Sequence, residues 1–367
     1  MVLAGGGTGG HVYPNLSVAR ALGEELTARG ETLELLYIGI RGRVDEVIVP
    51  QEGIPFRTVS AGPLRVGSPV SFVMNVARLK IGTLQSLWTL WRFKPDAVFA
   101  TGGYTSVPVG IASRALRRPL VVYLPDVRPG WAVRLLSRLA TVMTTTSDAA
   151  LASLPEKKTK ITGYPVRPEF WSARRDAARA SLGIPADAKV VLVTGASLGA
   201  RKINEAVVEA GPRLLRAAWL VHVTGRNDET WVRERRDAVP EDLRERYVVR
   251  GYISNMAETM VAADLIVGRA GASVLGEFPA AGAPAIVVPG EYDGWSQEPN
   301  AAFLEERGAA ATVRNAELSR LGDLIVELLA DEERRARMGV AMRALARPDA
   351  ARDLARTLID VSKKKAA

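Results

Sequence analysis

Two histidines, His11 and His222, are the only imidazoles in the 367 residues, and there is no cysteine. Without a thiol, disulfides, thiolate nucleophiles and thiolate metal sites are excluded. His11 closes the run Gly5-Gly6-Gly7-Thr8-Gly9-Gly10-His11. Imidazole titrates near neutral pH, so a histidine at the end of a ligand-holding loop is suited to take a proton from a hydroxyl. The plainer role for His11 is a structural hydrogen bond that holds the loop. His222 stands in the apolar run Leu220–Val223 and reads as a satisfied core residue. Two carboxylates follow loops. Asp126, after Tyr123-Leu124-Pro125, either points at a ligand or caps a helix. Glu277, about one helical turn beyond Gly268-Arg269-Ala270-Gly271-Ala272-Ser273, can accept both hydroxyls of a ribose. It can equally be a favourable charge near a helix N-terminus, worth ~0.3–1 kcal/mol. The amides of Gln297 and Asn300 open another helix and can read sugar hydroxyls. No Asp-x-Asp pair occurs, so neither a metal clamp nor a cofactor is expected.

These residues need elements to hold them. Val2-Leu3-Ala4 is a short apolar run, and Val12, Leu16, Ala19, Leu22 and Leu26 recur at helical spacing. The glycine loop therefore lies between a strand and a helix N-terminus, where backbone N–H groups and the helix dipole can hold a phosphate. A tight turn without a ligand is the alternative. Strands at Leu33–Ile38, Ala97–Ala100, Leu120–Tyr123 and Val142–Thr145 alternate with helices, which argues for a parallel sheet covered on both faces. A second glycine turn, Thr101-Gly102-Gly103-Tyr104-Thr105-Ser106, follows one of them. Thr162–Pro168 is punctuated by glycine and proline and reads as a linker. Beyond it the pattern restarts: Val190–Val193 runs into Thr194–Ala200, and further strands follow at Leu220–Val223, Tyr247–Val249, Leu265–Val267 and Ala285–Val288. The expected fold class is α/β, with two Rossmann-like doubly wound domains facing across a cleft. They span residues 1–163 and 168–347, and a terminal helix in 348–367 packs back on the first.

Hydrophobic residues make up 47% and charged residues 24%, the balance of a globular chain. The net charge of +9 suggests an anionic partner such as a nucleotide or phospholipid. No aromatic-rich basic motif is present, so nucleic acid is not expected. Val70–Trp91 carries Phe72, Val73, Val76, Leu79, Leu84, Leu87, Trp88 and Trp91 at roughly helical spacing, flanked by Arg65, Arg78, Lys80, Arg92 and Lys94. Such a segment either lies on an anionic membrane surface or packs its apolar stripe on the core. No apolar run reaches the ~20 residues of a membrane span. With no secretory signal at the start, a cytoplasmic protein is expected.

Several motifs together carry a family resemblance across nearly the whole chain. They are Gly6-Gly7-Thr8-Gly9-Gly10-His11 with Pro14, Thr101–Ser106, Gly163-Tyr164-Pro165-Val166-Arg167, Gly251-Tyr252-Ile253, Gly271-Ala272 with Glu277, and Gln297-x-x-Asn300-Ala301. In this order they resemble the MurG family, which transfers GlcNAc from UDP-GlcNAc to undecaprenyl-pyrophosphoryl-MurNAc-pentapeptide (lipid I) in peptidoglycan synthesis. The resemblance implies an inverting GT-B glycosyltransferase, peripheral on the cytoplasmic face of the cell membrane, with His11 as general base. It implies that Gly7, Thr8, Gly9, Gly10, Gly102, Gly103 and Tyr104 hold the acceptor pyrophosphate. For the donor it implies Arg167 and Ser197 near the diphosphate and the Ile253 backbone on uracil. Glu277 would meet the ribose and Gln297 the GlcNAc, with Asp126, Ala272 and Asn300 also in the donor site. Three motifs depart from the family. Tyr123-Leu124-Pro125-Asp126 replaces His-Glu-Gln-Asn, Leu198 replaces a glutamine, and Ala270 replaces a serine, so the donor sugar or acceptor can differ from the usual pair. UDP-GlcNAc 2-epimerases share this two-domain fold, and a UDP-sugar-binding protein without turnover is a third possibility.

Overall fold

The computed structural model describes residues 1–7, 9–62, 69–195, 199–292 and 295–366. The chain forms two compact units, Met1–Arg167 with Arg347–Ala367, and Pro168–Ala346. In the first unit, seven short strands form one parallel sheet: β1 (Val2–Ala4), β2 (Leu36–Gly39), β3 (Phe56–Thr58), β4 (Val98–Ala100), β5 (Leu120–Leu124), β6 (Val142–Thr145) and β7 (Thr159–Ile161). Their order is β3-β2-β1-β4-β5-β6-β7. The central strands are buried along their whole length, as the near-continuous apolar runs of a parallel sheet require. The strand order reverses between β1 and β4, which pair Val2 with Val98 and Ala4 with Ala100. Gly5 and Thr101 therefore leave the sheet side by side, at the switch point where α/β folds open a crevice.

Helices α1 (Gly9–Thr27), α2 (Val44–Gln51), α3 (Pro69–Phe93), α4 (Gly103–Ala115) and α5 (Trp131–Leu139) cover this sheet. The terminal helix Ala350–Ala366 returns to α1. It buries Leu354, Leu358 and Ile359, and it pairs Arg356 with Glu25 at 3.0 Å and Lys363 with Glu31 at 3.2 Å. Residues beyond the sequence expectation are β3 and β7, three-residue strands of mixed exposure whose pattern is too short to read.

Helix α3 carries apolar residues on its outer face as well as its inner one. Asn75, Ser86, Thr89 and Leu90 are buried, and a side chain at Gly82 would collide with the Ser60 carbonyl. Val70, Phe72, Val73, Met74, Ile81, Leu84, Trp88 and Trp91 are exposed, with Trp88 at 53% and Trp91 at 63%. Val76, Leu79 and Leu87 are half-buried, and Leu87 and Phe93 pack on the core, so one edge of the stripe meets the protein while Trp88 and Trp91 stay outside. Arg57 lies over the Trp88 ring at 5.8 Å, and Arg78, Lys80, Arg92 and Lys94 are exposed around the stripe. Arg65 falls outside the described residues. Among the described residues, no helix is long and apolar enough to cross a membrane.

The second unit opens with α6 (Glu169–Ser172) and α7 (Arg175–Ser181), followed by β8 (Val190–Thr194) and α8 (Arg201–Ala217). Its further strands are β9 (Trp219–Val223), β10 (Tyr247–Arg250), β11 (Leu265–Arg269), β12 (Ala285–Val288), β13 (Glu291–Tyr292), β14 (Trp295–Ser296) and β15 (Ala310–Thr312). Six of them form a parallel sheet in the order β10-β9-β8-β11-β12-β15, and β13 and β14 pair antiparallel in a separate two-stranded sheet. The same reversal recurs, here between β8 and β11, where Thr194 pairs with Gly268. His222 is fully buried on β9, with Nδ1 3.0 Å from the Tyr247 hydroxyl and Nε2 3.0 Å from Asn204 Oδ1. Burial pushes its pKa down to about 3, so it is a neutral core residue as its apolar setting suggests. Asp264 pins α7 to the sheet by accepting from Arg179 at 2.8 Å, from the Val190 N–H at 2.7 Å and from Arg175.

Candidate functional site: two switch-point loops

In the first unit, Gly9 and Gly10 begin α1 and His11 lies in its first turn. The first four N–H groups of a helix have no partner within it, so this turn presents donors together with the positive end of the dipole. The His11 ring is fixed from the neighbouring strand end. Nδ1 lies 2.8 Å from the Thr101 carbonyl, which can only accept, so Nδ1 carries the proton and Nε2 the lone pair. Gly102 and Gly103 both have left-handed φ, 88° and 73°. A Cβ on Gly103 would lie 3.7 Å from His11 Nε2 and 3.5 Å from the Gly6 carbonyl, so these three residues converge. Tyr104 sits beside the same loop, its hydroxyl 3.8 Å from where a Gly7 side chain would begin.

Burial lowers the His11 pKa, the nearby Asp126 carboxylate and the Thr101 carbonyl oppose that, and the net result lies below the ordinary histidine value. The imidazole is thus neutral near pH 7 and able to accept a proton at Nε2. Asp126 is partly exposed, whereas Tyr123, Leu124 and Pro125 before it are buried. The Tyr123 hydroxyl is 2.7 Å from Thr146 Oγ1 and donates to the Gly163 carbonyl at 3.2 Å. Three of the four substituted positions in this motif are therefore core, and Asp126 alone faces outward. Arg167, at the end of the first unit, stacks over the Tyr13 ring of α1 at 4.9 Å.

The second unit assembles its own group at the ends of β11 and β12. The Gly290 N–H donates to Gln297 Oε1 at 2.8 Å, and the Gln297 N–H donates back to the Gly290 carbonyl at 3.0 Å. Gln297 Nε2 would be 3.4 Å from a Cβ on Gly271. Asn300 is 2% exposed and donates through Nδ2 to the Ala270 carbonyl at 3.0 Å, so this amide holds the loop. Arg269 donates to Asn315 Oδ1 at 2.9 Å. Ala272 begins a 3-10 turn through Leu275, and Glu277 is the first residue of the helix Glu277–Ala281, not a residue one turn inside it. Ile253 is partly buried after β10, and a side chain at Gly251 would collide with Glu229. Thr8 and Ser197 lie outside the described residues.

The sequence pattern did not single out Asn15, Tyr37 or Asp45, all fully buried behind the first loop. Asn15 Nδ2 lies 3.2 Å from the His11 carbonyl, 3.2 Å from Thr101 Oγ1 and 3.1 Å from the Tyr37 hydroxyl, which itself donates to the Gly5 carbonyl at 2.9 Å. The one available signal was a polar residue, Asn15, amid the apolar positions of α1.

Two family models match the chain in order: the glycosyltransferase family 28 N-terminal domain over residues 1–145 and the family 28 C-terminal domain over residues 190–354. A UDP-N-acetylglucosamine–N-acetylmuramyl-(pentapeptide) pyrophosphoryl-undecaprenol N-acetylglucosamine transferase of Roseiflexus sp. (strain RS-1) is 38% identical, covering 96% of this chain and 93% of the relative. The crystal structure of Acinetobacter baumannii MurG matches with a TM-score of 0.75 at 25% identity, over 98% of each chain. A UDP-GlcNAc 2-epimerase from Neisseria meningitidis, bound to UDP-GlcNAc, matches with a TM-score of 0.66 at 15% identity over 98% of this chain and 99% of that one. That likeness is one of fold alone. With both halves matched and the transferase similarity running through almost its full length, the chain belongs to glycosyltransferase family 28 and, within it, to the MurG family of N-acetylglucosamine transferases.

Proposed function

We infer that this chain is an inverting transferase that moves GlcNAc from UDP-GlcNAc onto lipid I, giving lipid II for peptidoglycan. The observation that carries this is 38% identity to such a transferase across 96% of the chain. In the reaction the acceptor hydroxyl attacks the anomeric carbon of GlcNAc from the face opposite UDP. A new glycosidic bond forms, the bond to the diphosphate oxygen breaks, UDP departs with the electron pair, and the hydroxyl proton passes to His11 Nε2. The Nδ1–H bond to Thr101 supports this role, because it leaves Nε2 as the basic nitrogen.

The acceptor pyrophosphate is assigned to the two loops that carry Gly7, Thr8, Gly9, Gly10, Gly102, Gly103 and Tyr104, the N–H donors of the first loop being those from Gly9 onward because the Gly7 N–H is bonded to Asp45. The donor is assigned to Arg167, Ser197, Ile253, Ala272, Glu277, Gln297 and Asn300, and Asp126 is assigned to it as well. Backbone N–H groups, helix dipoles and Arg167 stabilise the charge that develops on the leaving diphosphate. The exposed stripe of α3 with its surrounding arginines and lysines supports peripheral attachment to the anionic cytoplasmic face of the membrane, where a lipid-linked acceptor resides.

The test is transfer from radiolabelled UDP-GlcNAc to a lipid I analogue, with the anomeric configuration of the product determined. Labelled product of inverted configuration is expected. Absence of transfer to any polyprenyl-pyrophosphoryl acceptor would overturn the assignment. A thermal-shift comparison of UDP-GlcNAc, UDP-GalNAc and UDP-glucose ranks the donors, since ligands of the folded state raise Tm by mass action.

A further inference from the structure

Behind the glycine loop stands a carboxylate that the reaction as described does not use. Asp45, in the first turn of α2, is fully buried. Its Oδ2 accepts from the Ile40 N–H at 2.8 Å, and its Oδ1 accepts from the Gly7 N–H at 3.3 Å. Among the described residues no lysine, arginine or histidine is paired with it. A buried carboxylate held by backbone donors alone is costly unless its position is strongly defined. Two glycines define it. A Cβ on Gly6 would lie 2.6 Å from Asp45 Oδ2, and one on Gly39 would collide with the same oxygen. The carboxylate thus sits against bare backbone on both sides, and it bridges the end of β2 to the loop after β1.

We propose that Asp45 is a positioning residue for the acceptor site: by holding the Gly7 N–H it sets the course of the loop from Gly7 to His11. The Gly7 N–H points into the protein and is spent on Asp45. The donors left for an anion are then those of the first turn of α1, from Gly9 onward, whose direction follows from where Gly7 is held. Gly7 itself adopts a left-handed φ of 95°, a conformation open to glycine. The inference rests on the assignment of this loop to the acceptor pyrophosphate.

The experiment compares Asp45→Asn and Gly6→Ala with the unaltered full chain, measuring KM for UDP-GlcNAc and for a lipid I analogue separately, together with kcat, Tm and UDP binding by calorimetry. Asparagine keeps the shape but faces an N–H donor with its own NH2 group. Alanine at residue 6 keeps the carboxylate and pushes it away. Each should raise the acceptor KM about tenfold or more, the size of one lost hydrogen bond to a charged group, with donor KM and UDP binding unchanged. The double variant should be no worse than the worse single variant, because both act through one contact. An acceptor KM that stays the same or falls in folded Asp45→Asn protein would overturn the proposal, as would both KM values rising together with a lowered Tm. A rise in the donor KM alone would overturn the acceptor assignment of the loop while leaving Asp45 as the residue that positions it. If Asp45→Asn does not fold, Gly6→Ala carries the same test.

Discussion

Replacing Trp88 and Trp91 together by alanine separates the two possible roles of α3. The rings are 53% and 63% exposed. A tryptophan offers up to ~250 Å² of contact area, so the pair presents on the order of 300 Å² to whatever lies outside. Complete immersion of that area in an apolar phase is worth roughly 7 kcal/mol at ~25 cal/mol/Å², and immersion of a third still gives about 2 kcal/mol, a factor of roughly 30 in partitioning. Vesicle sedimentation reads this directly. The double variant should bind anionic vesicles at least about 30-fold more weakly, while turnover of a short-chain, water-soluble acceptor stays within about twofold of the original. Because neither ring fills the core, Tm should move by no more than a few degrees. Were the stripe packed inside, each truncation would cost ~3–5 kcal/mol and the protein would be severely destabilised. Unchanged vesicle binding, or a collapse of Tm, would refute the reasoning.

His11→Asn should lower kcat by roughly 10²–10⁴, the contribution of a positioned general base, with UDP binding retained by calorimetry. In the unaltered protein kcat/KM should fall as His11 is protonated, with a midpoint below the usual ~6.5 because burial disfavours the imidazolium. Asp126→Asn removes the carboxylate that raises this pKa, so the acid limb should move to still lower pH; a shift upward would contradict the electrostatics. His222 is held neutral with a pKa of about 3, whereas the unfolded chain takes up a proton below ~6.5. Its share of stability is present above that pH and lost as pH falls toward 3, at about 1.4 kcal/mol per unit, or about 2 kcal/mol between pH 7 and pH 5. Urea unfolding at both values should show that loss shrinking in His222→Gln. Asp264→Ala strands the buried Arg179 guanidinium and should cost ~3–5 kcal/mol, seen as a Tm lowered by about 6–20 °C.

The central strands and both glycine-rich loops were legible in the sequence because each combines an apolar run with residues only a turn tolerates. The repeat of that pattern after Thr162–Pro168 likewise announced a second sheet. The edge strands β3, β7 and β15 were not legible: each has three residues and is only partly buried, so neither a continuous apolar run nor alternation can emerge. In α3 the spacing established a helix, but periodicity says only that one face is apolar, not which face meets the protein. The buried Asn75, Ser86 and Gly82 settle it through tertiary packing. Asp45 was invisible for a similar reason. Its meaning comes from Gly6 and Gly7, 38 and more residues away, and from β2 lying beside β1. The bond from Asn300 to the Ala270 carbonyl, which ties this amide to the loop after β11, was likewise not legible, because it joins residues 30 apart.

The return of the terminal helix to α1 has a consequence for synthesis on the ribosome. Residues 168–346 form their own compact unit, whereas the first unit lacks the helix Ala350–Ala366 until that second unit has been made. At ~5–20 residues per second, α1 waits roughly 17–70 s with its outer face uncovered. The unit made first is thus the last to be finished. A chain interrupted near residue 346 would carry an intact second unit beside a first whose α1 lacks its cover of Leu354, Leu358 and Ile359. Such fragments should be drawn to chaperones through their first unit, although the missing residues follow the second.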